Sequence, residues 1–435
     1  MAMYIEPKVL KGFRDFLPHA ETIRRNLSEI IEKTFKSFGF VPIDTPALEY
    51  ADILLGKGGG ETEKQIYRFK DNGGRDIALR FDLTVPFARF VALHSGDLIF
   101  PFKRYHIAKV WRGENTQRGR YREFTQCDFY IIGSDSPAAD FEIILLIQTT
   151  MKNLGVDVTI HVNHRGIFNR FLEHIGQSEK SVEILRAVDK LAKVGNDETL
   201  NTLTDLAGKE NAKKILEFIS AKGGFSEVLD RLTELAGGPC PESERLSSLR
   251  RYMADAAGGD NDAEPFILNP SITRGLDYYT GVVFETFLNE LPDIGSVCSG
   301  GRYDNLAGLY SKNNDSVSGV GTSIGLDRLI AALEILGKLP AGTCGSAGIA
   351  CVNIEHSGQY HELAKKFRQA GIFCEVFTDE EKQLVKQFVL AEKKGLRWMI
   401  IPGENPLSDI VNLRDLVSRQ NSELSIDEAI FKIKK

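Results

Sequence analysis

The chain has 435 residues, 42% hydrophobic and 26% charged, with a formal net charge of −6. At roughly 100–200 residues per domain, that length implies two to four domains and room for a large core, and the hydrophobic fraction excludes a disordered chain. No apolar run approaches the roughly 18 residues of a membrane span, and an overall acidic balance does not announce a nucleic-acid partner.

The longest clear apolar run is Ile143 to Ile147. Met1 to Leu10 carries Glu6 and Pro7 and lacks the apolar stretch of a secretory signal. Six cysteines, at 127, 240, 298, 344, 351 and 374, include no Cys-x-x-Cys pair. That argues against a zinc ribbon or a thioredoxin-type site and agrees with free thiols in a cytoplasmic protein.

Ile23, Leu27, Ile30, Ile31, Phe35 and Phe38 recur at helical spacing, and Gly39 ends the run. Phe40 to Pro46 reads as extended, because a residue before proline is pushed away from helix. A short strand is expected at Gln65 to Phe69 and another at Ile77 to Leu83. Ile99 to Gly133 reads as strands joined by a loop at Gly113 to Gly119. A helix follows, with Ser136 as N-cap, Pro137 in its first turn and Gly155 as its stop. Strands clustered before a helix, without βαβ alternation, predict an antiparallel sheet with flanking helices.

From about Gly166 to Gly259 the texture turns Ala-, Glu-, Lys- and Leu-rich, which predicts a helical insertion. Strand character returns at Val282 to Phe287, then a Gly-rich stretch and a helix from about Gly325. Strands at Gly348 to Ile354, Phe373 to Phe377 and Leu396 to Pro402 alternate with helices at Gln359 to Ala370 and Glu381 to Lys394. This pattern predicts a terminal α/β domain with a mostly parallel sheet. The predicted fold class is therefore α+β.

Residues 103–122 depart from the global charge. Lys103, Arg104, Lys109, Arg112, Arg118, Arg120 and Arg122 stand against Glu114 alone, a local net charge of +6. Either this is a solvated basic face, or its arginines, interleaved with Trp111, Tyr121 and Phe124, grip an anionic ligand. In the next segment, alternation puts Gln126, Asp128 and Tyr130 on one strand face and Cys127, Phe129 and Ile131 on the other. That is a half-exposed strand or a polar pocket floor. Thr273 to Gly281 packs an arginine, an acid and two tyrosines between glycines, an unusual composition for a plain turn. Ser299 to Asp304 and Gly319 to Arg328 are glycine-rich, but neither is a Walker A loop or a dinucleotide fingerprint. A tight strand–helix junction accounts equally for the second. The eight histidines show no metal-ligand spacing, and no GxSxG elbow occurs.

Taken together, in order and over essentially the whole chain, these segments resemble histidyl-tRNA synthetase, a class II aminoacyl-tRNA synthetase family. Lys11 to Asp15 resembles the family's N-terminal signature. The first helix with Pro42 to Glu49 resembles motif 1, Leu79 to Thr84 the substrate-binding loop, and Val110 to Phe124 motif 2. Arg274 to Gly281 and Ser299 to Asp304 resemble the two histidine signatures, and Gly321 to Arg328 motif 3.

The resemblance implies an antiparallel class II catalytic domain in two parts (1–165 and 261–337), a helical insertion (166–260), a linker (338–345) and an α/β anticodon-binding domain (346–435). It implies a homodimer through motif 1, and L-histidine, ATP with Mg²⁺ and tRNA(His) as partners. Arg274 and Arg112 are the implied catalytic cations at the α-phosphate. Arg112, Glu114, Arg120, Phe124 and Arg328 are implied to hold ATP, with Phe124 stacked on adenine and Arg328 on the γ-phosphate. Asp82, Leu83, Thr84, Arg112, Gln126, Tyr130, Arg274, Tyr278 and Tyr279 are implied to hold histidine. No protein metal site is implied, the Mg²⁺ riding on the ATP phosphates.

One departure stands out: the family commonly carries Asp or Glu at the position of Tyr130. Either Asp128 or another acid takes over, or the Tyr130 hydroxyl itself meets the ligand. Competing readings are a regulatory subunit of ATP phosphoribosyltransferase, a tRNA sensor that does not aminoacylate, and another class II synthetase. The retained Arg112, Arg274 and Arg328 and the Arg-Gly-Leu-Asp-Tyr-Tyr element oppose them.

Overall fold

The computed structural model describes residues 4–56, 61–189, 195–256, 266–272, 279–304, 307–310, 317–340, 347–378 and 383–435. They divide into two compact units, Met1–Asp15 with Leu27–Leu339 and Phe16–Asn26 with Pro340–Lys435.

The first unit is built on an eight-stranded sheet. Its strands are β1 (Val41–Pro42), β5 (Phe102–Trp111), β6 (Glu123–Ile132), β7 (Val158–His164), β8 (Phe266–Leu268), β9 (Val282–Leu288), β10 (Cys298–Tyr303) and β11 (Gly319–Gly325). The order across the sheet is β1-β5-β6-β11-β10-β9-β7-β8. The pairs from β5 through β7 are antiparallel, and only the edge strands β1 and β8 run parallel to their neighbours. The two glycine-rich stretches are thus central strands, β10 and β11, side by side. A small sheet of β2 (Leu48–Tyr50), β4 (Asp76–Leu79) and β3 (Arg68–Lys70) stands apart.

Two local expectations shift. The strand expected at Gln65 to Phe69 is a short helix, Glu61–Gln65, followed by β3. The strand expected through Leu83 stops at Leu79, and a helix of 11 residues, Thr84–His94, begins where it was to end. The Asp82 carboxylate accepts the Val85 N–H at 3.0 Å, satisfying a first-turn donor that the helix cannot satisfy itself. Pro86 in that first turn costs nothing for the same reason.

Numbering the helices in chain order, α1 is Pro18–Ser37, α2 Ala51–Leu55, α3 Glu61–Gln65, α4 Thr84–His94, α5 Pro137–Asn153 and α6 Arg165–His174. The α5 start is as the sequence predicts: the Ser136 hydroxyl accepts the Ala138 N–H at 3.2 Å. Alternation divides the sheet into an apolar and a polar face. On the apolar face Phe35 of α1 packs on Phe129 with ring centroids 4.6 Å apart. After α6 come α7 (Ser181–Asp189), α8 (Asn196–Ala207), α9 (Lys209–Ile219), α10 (Phe225–Leu235) and α11 (Pro241–Ala256), around Phe168, Phe171 and Phe218. The chain then returns to the sheet, and α12 (Leu326–Ile335) follows β11.

A buried ion network ties these layers. Asp140 of α5, fully buried, accepts from Arg302 of β10 at 2.7 and 2.9 Å and from Arg245 of α11 at 2.6 Å.

The second unit carries a five-stranded sheet, β13 (Cys374–Val376), β12 (Ala347–Ile349), β14 (Trp398–Pro402), β15 (Ile410–Asp415) and β16 (Asn421–Ser425), in that spatial order. The first three are parallel, as expected, and the last two add an antiparallel hairpin. Helices Ser357–Gln369 and Leu384–Lys393 fall where predicted, and Ile426–Lys434 closes the chain with a Ser425–Glu428 capping box.

Removing one member of a buried ion network leaves the others without compensation. Asp140→Ala, which takes the one fully buried acceptor from two guanidinium groups, should destabilise the first unit by about 3–5 kcal/mol in urea titrations. A loss within the range of an exposed substitution would show that the network carries no such weight.

Candidate active site

The polar sheet face is set by register. Opposed residues of an antiparallel pair share a face. Arg104 and His106 on β5 therefore stand beside Tyr130 and Asp128 on β6, and these beside Gly321 and Ser323 on β11. Gly321 leaves the slot that the Tyr130 ring fills, since a Cβ there would lie 2.1 Å from Tyr130 Cδ1. At Gly301 on β10 a Cβ would come within 2.9 Å of the Tyr279 ring. The two glycines are what admit two tyrosine rings to the sheet floor.

Helix α4 closes over one end of this face. The Arg104 guanidinium, 0% exposed, sits 3.8 Å from the Phe87 ring centre and 4.3 Å from that of Tyr130. None of its nitrogens has a hydrogen-bond partner among the described residues. Tyr130 and Thr84 share a hydrogen bond of 2.5 Å between their hydroxyls. Leu83 is fully buried beside them. Asp82 presents its second oxygen, Oδ2, without a partner, and Asp128 presents both of its oxygens so. Gln126 donates to the Ser323 hydroxyl at 3.1 Å and leaves Oε1 open. Burial pushes the Asp82 carboxyl up to about 6, against the Val85 N–H and the Arg112 charge. Burial likewise pushes Asp128 up to about 6, against Arg104.

The segment 111–125 forms an arm at the edge of this pocket. Arg112 donates from Nε to the Phe81 carbonyl at 2.8 Å, one residue from Asp82, and its guanidinium lies 5.2 Å from the Phe124 ring centre. Glu114 stands between Arg112 at 3.7 Å and Arg120 at 3.8 Å. The arm's backbone is tied down: Arg112 N–H donates to the Arg122 carbonyl and Arg122 N–H to the Gly12 carbonyl, both at 2.9 Å. Asp327, at the start of α12, joins three chain segments. It accepts the Thr125 N–H at 2.7 Å and pairs with Arg14, whose guanidinium stacks 3.3 Å from the Tyr121 ring centre. Next to it, Arg328 donates to the Ser296 carbonyl at 2.5 Å. A buried pocket rich in open acceptors thus adjoins an arm of arginines over an aromatic ring, an arrangement that suits an ammonium at one end of a ligand and phosphates at the other.

A family model described as histidyl-tRNA synthetase matches residues 12–329, and one described as an anticodon binding domain matches 346–435. The chain belongs to the histidyl-tRNA synthetase family. A histidine–tRNA ligase of Treponema denticola is 51% identical over 451 aligned residues, covering 100% of this chain and 99% of that protein. One of Rhodopirellula baltica is 45% identical, covering 97% and 96%. Among solved structures, histidyl-tRNA synthetase from a Nostoc species superposes with a TM-score of 0.85 at 31% identity, covering 99% of both chains.

Of the residues that the sequence singles out for this family, Asp82, Leu83, Thr84, Gln126 and Tyr130 gather on and above the polar face. Arg112, Glu114, Arg120 and Phe124 gather on the arm. Arg328 lies on α12, and Tyr279 flanks Gly301. Arg274 and Tyr278 lie outside the described residues. The count of +6 over 103–122 does not survive folding as a bare basic strip. Arg104 is buried, while Lys103, Lys109 and Arg118 pair with Glu142, Glu123 and Glu334. Sequence reasoning passed over Arg104 as a site residue and over the Arg14–Asp327 pair. A charge alternating in register with Asp128 and Tyr130 was the available signal for the first. The second spans 313 positions and has no local signal.

Four buried titrating groups give the stability of the unliganded protein a composite pH dependence. Asp82 and Asp128 hold their protons up to about 6 when folded but release them near 3.8 when unfolded, so each loses stability as pH rises between those values. His106 and His164 are lowered by burial to about 4 from 6.5, so each gains stability over that rise. Asp82→Asn removes one member of the first pair. Its unfolding free energy should climb more steeply than that of the unaltered chain between pH about 4 and about 6, read by urea titration. An equal or flatter slope would show that Asp82 ionises in the folded protein as it does in water.

Proposed function

We propose that this chain is a histidine–tRNA ligase that acts in two steps. A carboxylate oxygen of L-histidine attacks the α-phosphorus of ATP. The bond to the bridging oxygen of the β-phosphate breaks, and pyrophosphate leaves. A hydroxyl of the terminal ribose of tRNA(His) then attacks the acyl carbon of histidyl-adenylate, and AMP leaves with the bonding pair.

The observation that carries this reading is the adjacency of the two halves of the site. Arg112 reaches back to the Phe81 carbonyl beside Asp82 while its guanidinium overlies Phe124. That position supports a role in which it meets a carboxylate and an α-phosphate together. Charge grows on the non-bridging oxygens during in-line attack, and fixed guanidinium groups oppose it without reorganising. Arg274 adds a second catalytic cation there. Phe124 stacks on adenine, Glu114 and Arg120 hold the nucleotide, and Arg328 takes the γ-phosphate. Asp82, Thr84 and Gln126 receive the α-ammonium, Leu83 packs beside it, and Tyr278 and Tyr279 flank the imidazole. Tyr130 lines the pocket by fixing the Thr84 hydroxyl.

Among the described residues no group of three His, Cys, Asp or Glu side chains could hold a metal. Mg²⁺ would enter with ATP and supply charge screening at the phosphates. Residues 1–165 and 261–337 form the catalytic domain, 166–260 the insertion, 338–345 the linker and 346–435 the anticodon-binding domain. The working form is a cytoplasmic homodimer. Among the described residues, no helix is long and apolar enough to cross a membrane.

ATP–pyrophosphate exchange with each of the twenty amino acids tests the reading: exchange should require histidine. Arg112→Ala and Arg328→Ala should each slow it on the order of 10²-fold or more. A folded protein that exchanges with no amino acid, or with a different one, would overturn the assignment.

A further inference from the structure

The acceptors on the polar face outnumber what an ammonium can use. An amino acid's α-ammonium has three N–H donors. Asp82 Oδ2, the Thr84 hydroxyl and Gln126 Oε1 supply three acceptors, two of them without any partner and the third bound only to Tyr130. One step along the same face from Gln126, Asp128 is 0% exposed and still has both oxygens open. A buried carboxylate left that way costs free energy unless a ligand completes it. The Tyr130 and Ser323 hydroxyls beside it favour its ionised form, but each is already shared, with Thr84 at 2.5 Å and with the Gln126 amide at 3.1 Å, and neither meets hydrogen-bond geometry with an Asp128 oxygen.

Charge points the same way. On the pocket floor two acids, Asp82 and Asp128, face one cation, Arg104, while Arg112 at the edge is matched by the ligand's own carboxylate, so one negative charge remains to match one ammonium. Hydrogen bonding then leaves Asp128 for a neutral N–H. We propose that Asp128 is the specificity-determining carboxylate of this site and accepts the ring N–H of the histidine substrate, with Tyr130 as a positioning residue that fixes Thr84 and Arg104. This rests on the histidine-ligase reading of the same pocket.

The test compares L-histidine with β-(2-thienyl)-L-alanine, which keeps the ammonium and carboxylate but has no ring N–H. Binding of histidine to the full-length protein is measured by calorimetry, and the thienyl analogue by its inhibition of histidine-dependent pyrophosphate exchange. Asp128→Asn should weaken histidine about 10- to 100-fold, the scale of one charge-assisted hydrogen bond lost from a buried site. It should leave the inhibition constant of the thienyl analogue and the KM for ATP within about threefold. Asp128→Ser, smaller and neutral, is read in parallel should the amide disturb packing. Unchanged histidine affinity would overturn the proposal. So would an equal loss for the thienyl analogue, which would assign Asp128 to the ammonium or to the fold. Failure of the ligase reading shows separately, as absence of exchange in the unaltered protein, and the calorimetric arm still decides the role of Asp128.

Discussion

The register between β5, β6 and β11 is the constraint on which the site depends. A shift of one residue in any of these pairings would exchange the faces of a strand. Asp128 and Gln126 would turn toward α5, and Cys127 and Phe129 would turn into the pocket. The register is held because the opposite face is committed: Phe35 packs on Phe129, and Cys127 and Ile131 are buried beneath helices. The apolar core therefore does more than stabilise the unit. It aims the polar residues, several of whose atoms have no partner to hold them in place.

That division carries an energetic asymmetry. On the committed side, both oxygens of the buried Asp140 are taken, one by Arg302 and the other by Arg245. On the pocket side Arg104, Asp82 and Asp128 retain open atoms. A buried polar atom without a partner is a standing cost, and a protein retains such a cost where a ligand can relieve it. The contrast between the two faces separates charges that build the fold from charges that await a substrate.

Much of this was legible in the sequence, for reasons that can be named. Alternation at 126–131 showed which side chains share a face, since a strand has a period of two whatever surrounds it. Ser136 and Pro137 marked the α5 start because a first-turn N–H needs an acceptor nearby in sequence. Helix α4 was hidden because Asp82, its capping acid, sits in a run of apolar residues that reads equally as strand, and only the tertiary fold decides between them. The hairpin β15–β16 was missed because its strands are short and polar on one side. The local charge of 103–122 misled because its counter-ions, Glu142 and Glu334, come from helices elsewhere in the chain. What propensity and spacing encode is local, whereas ion pairing is not.

The pairing of β6 with β11 also bears on how the protein is made. β6 ends at Ile132 and its partner begins at Gly319. Between them lies the whole helical segment, with its aromatic cluster of Phe168, Phe171 and Phe218. At roughly 5–20 residues per second, the inner edge of β6 waits on the order of 10–40 s for its neighbour. During that interval a hydrogen-bonding edge flanked by Phe129 and Ile131 lies open to any other nascent chain. Synthesis through Asp327, which ties Arg14 to Thr125, is what ends that exposure, so a transcript broken before this codon yields a chain with its central sheet unclosed.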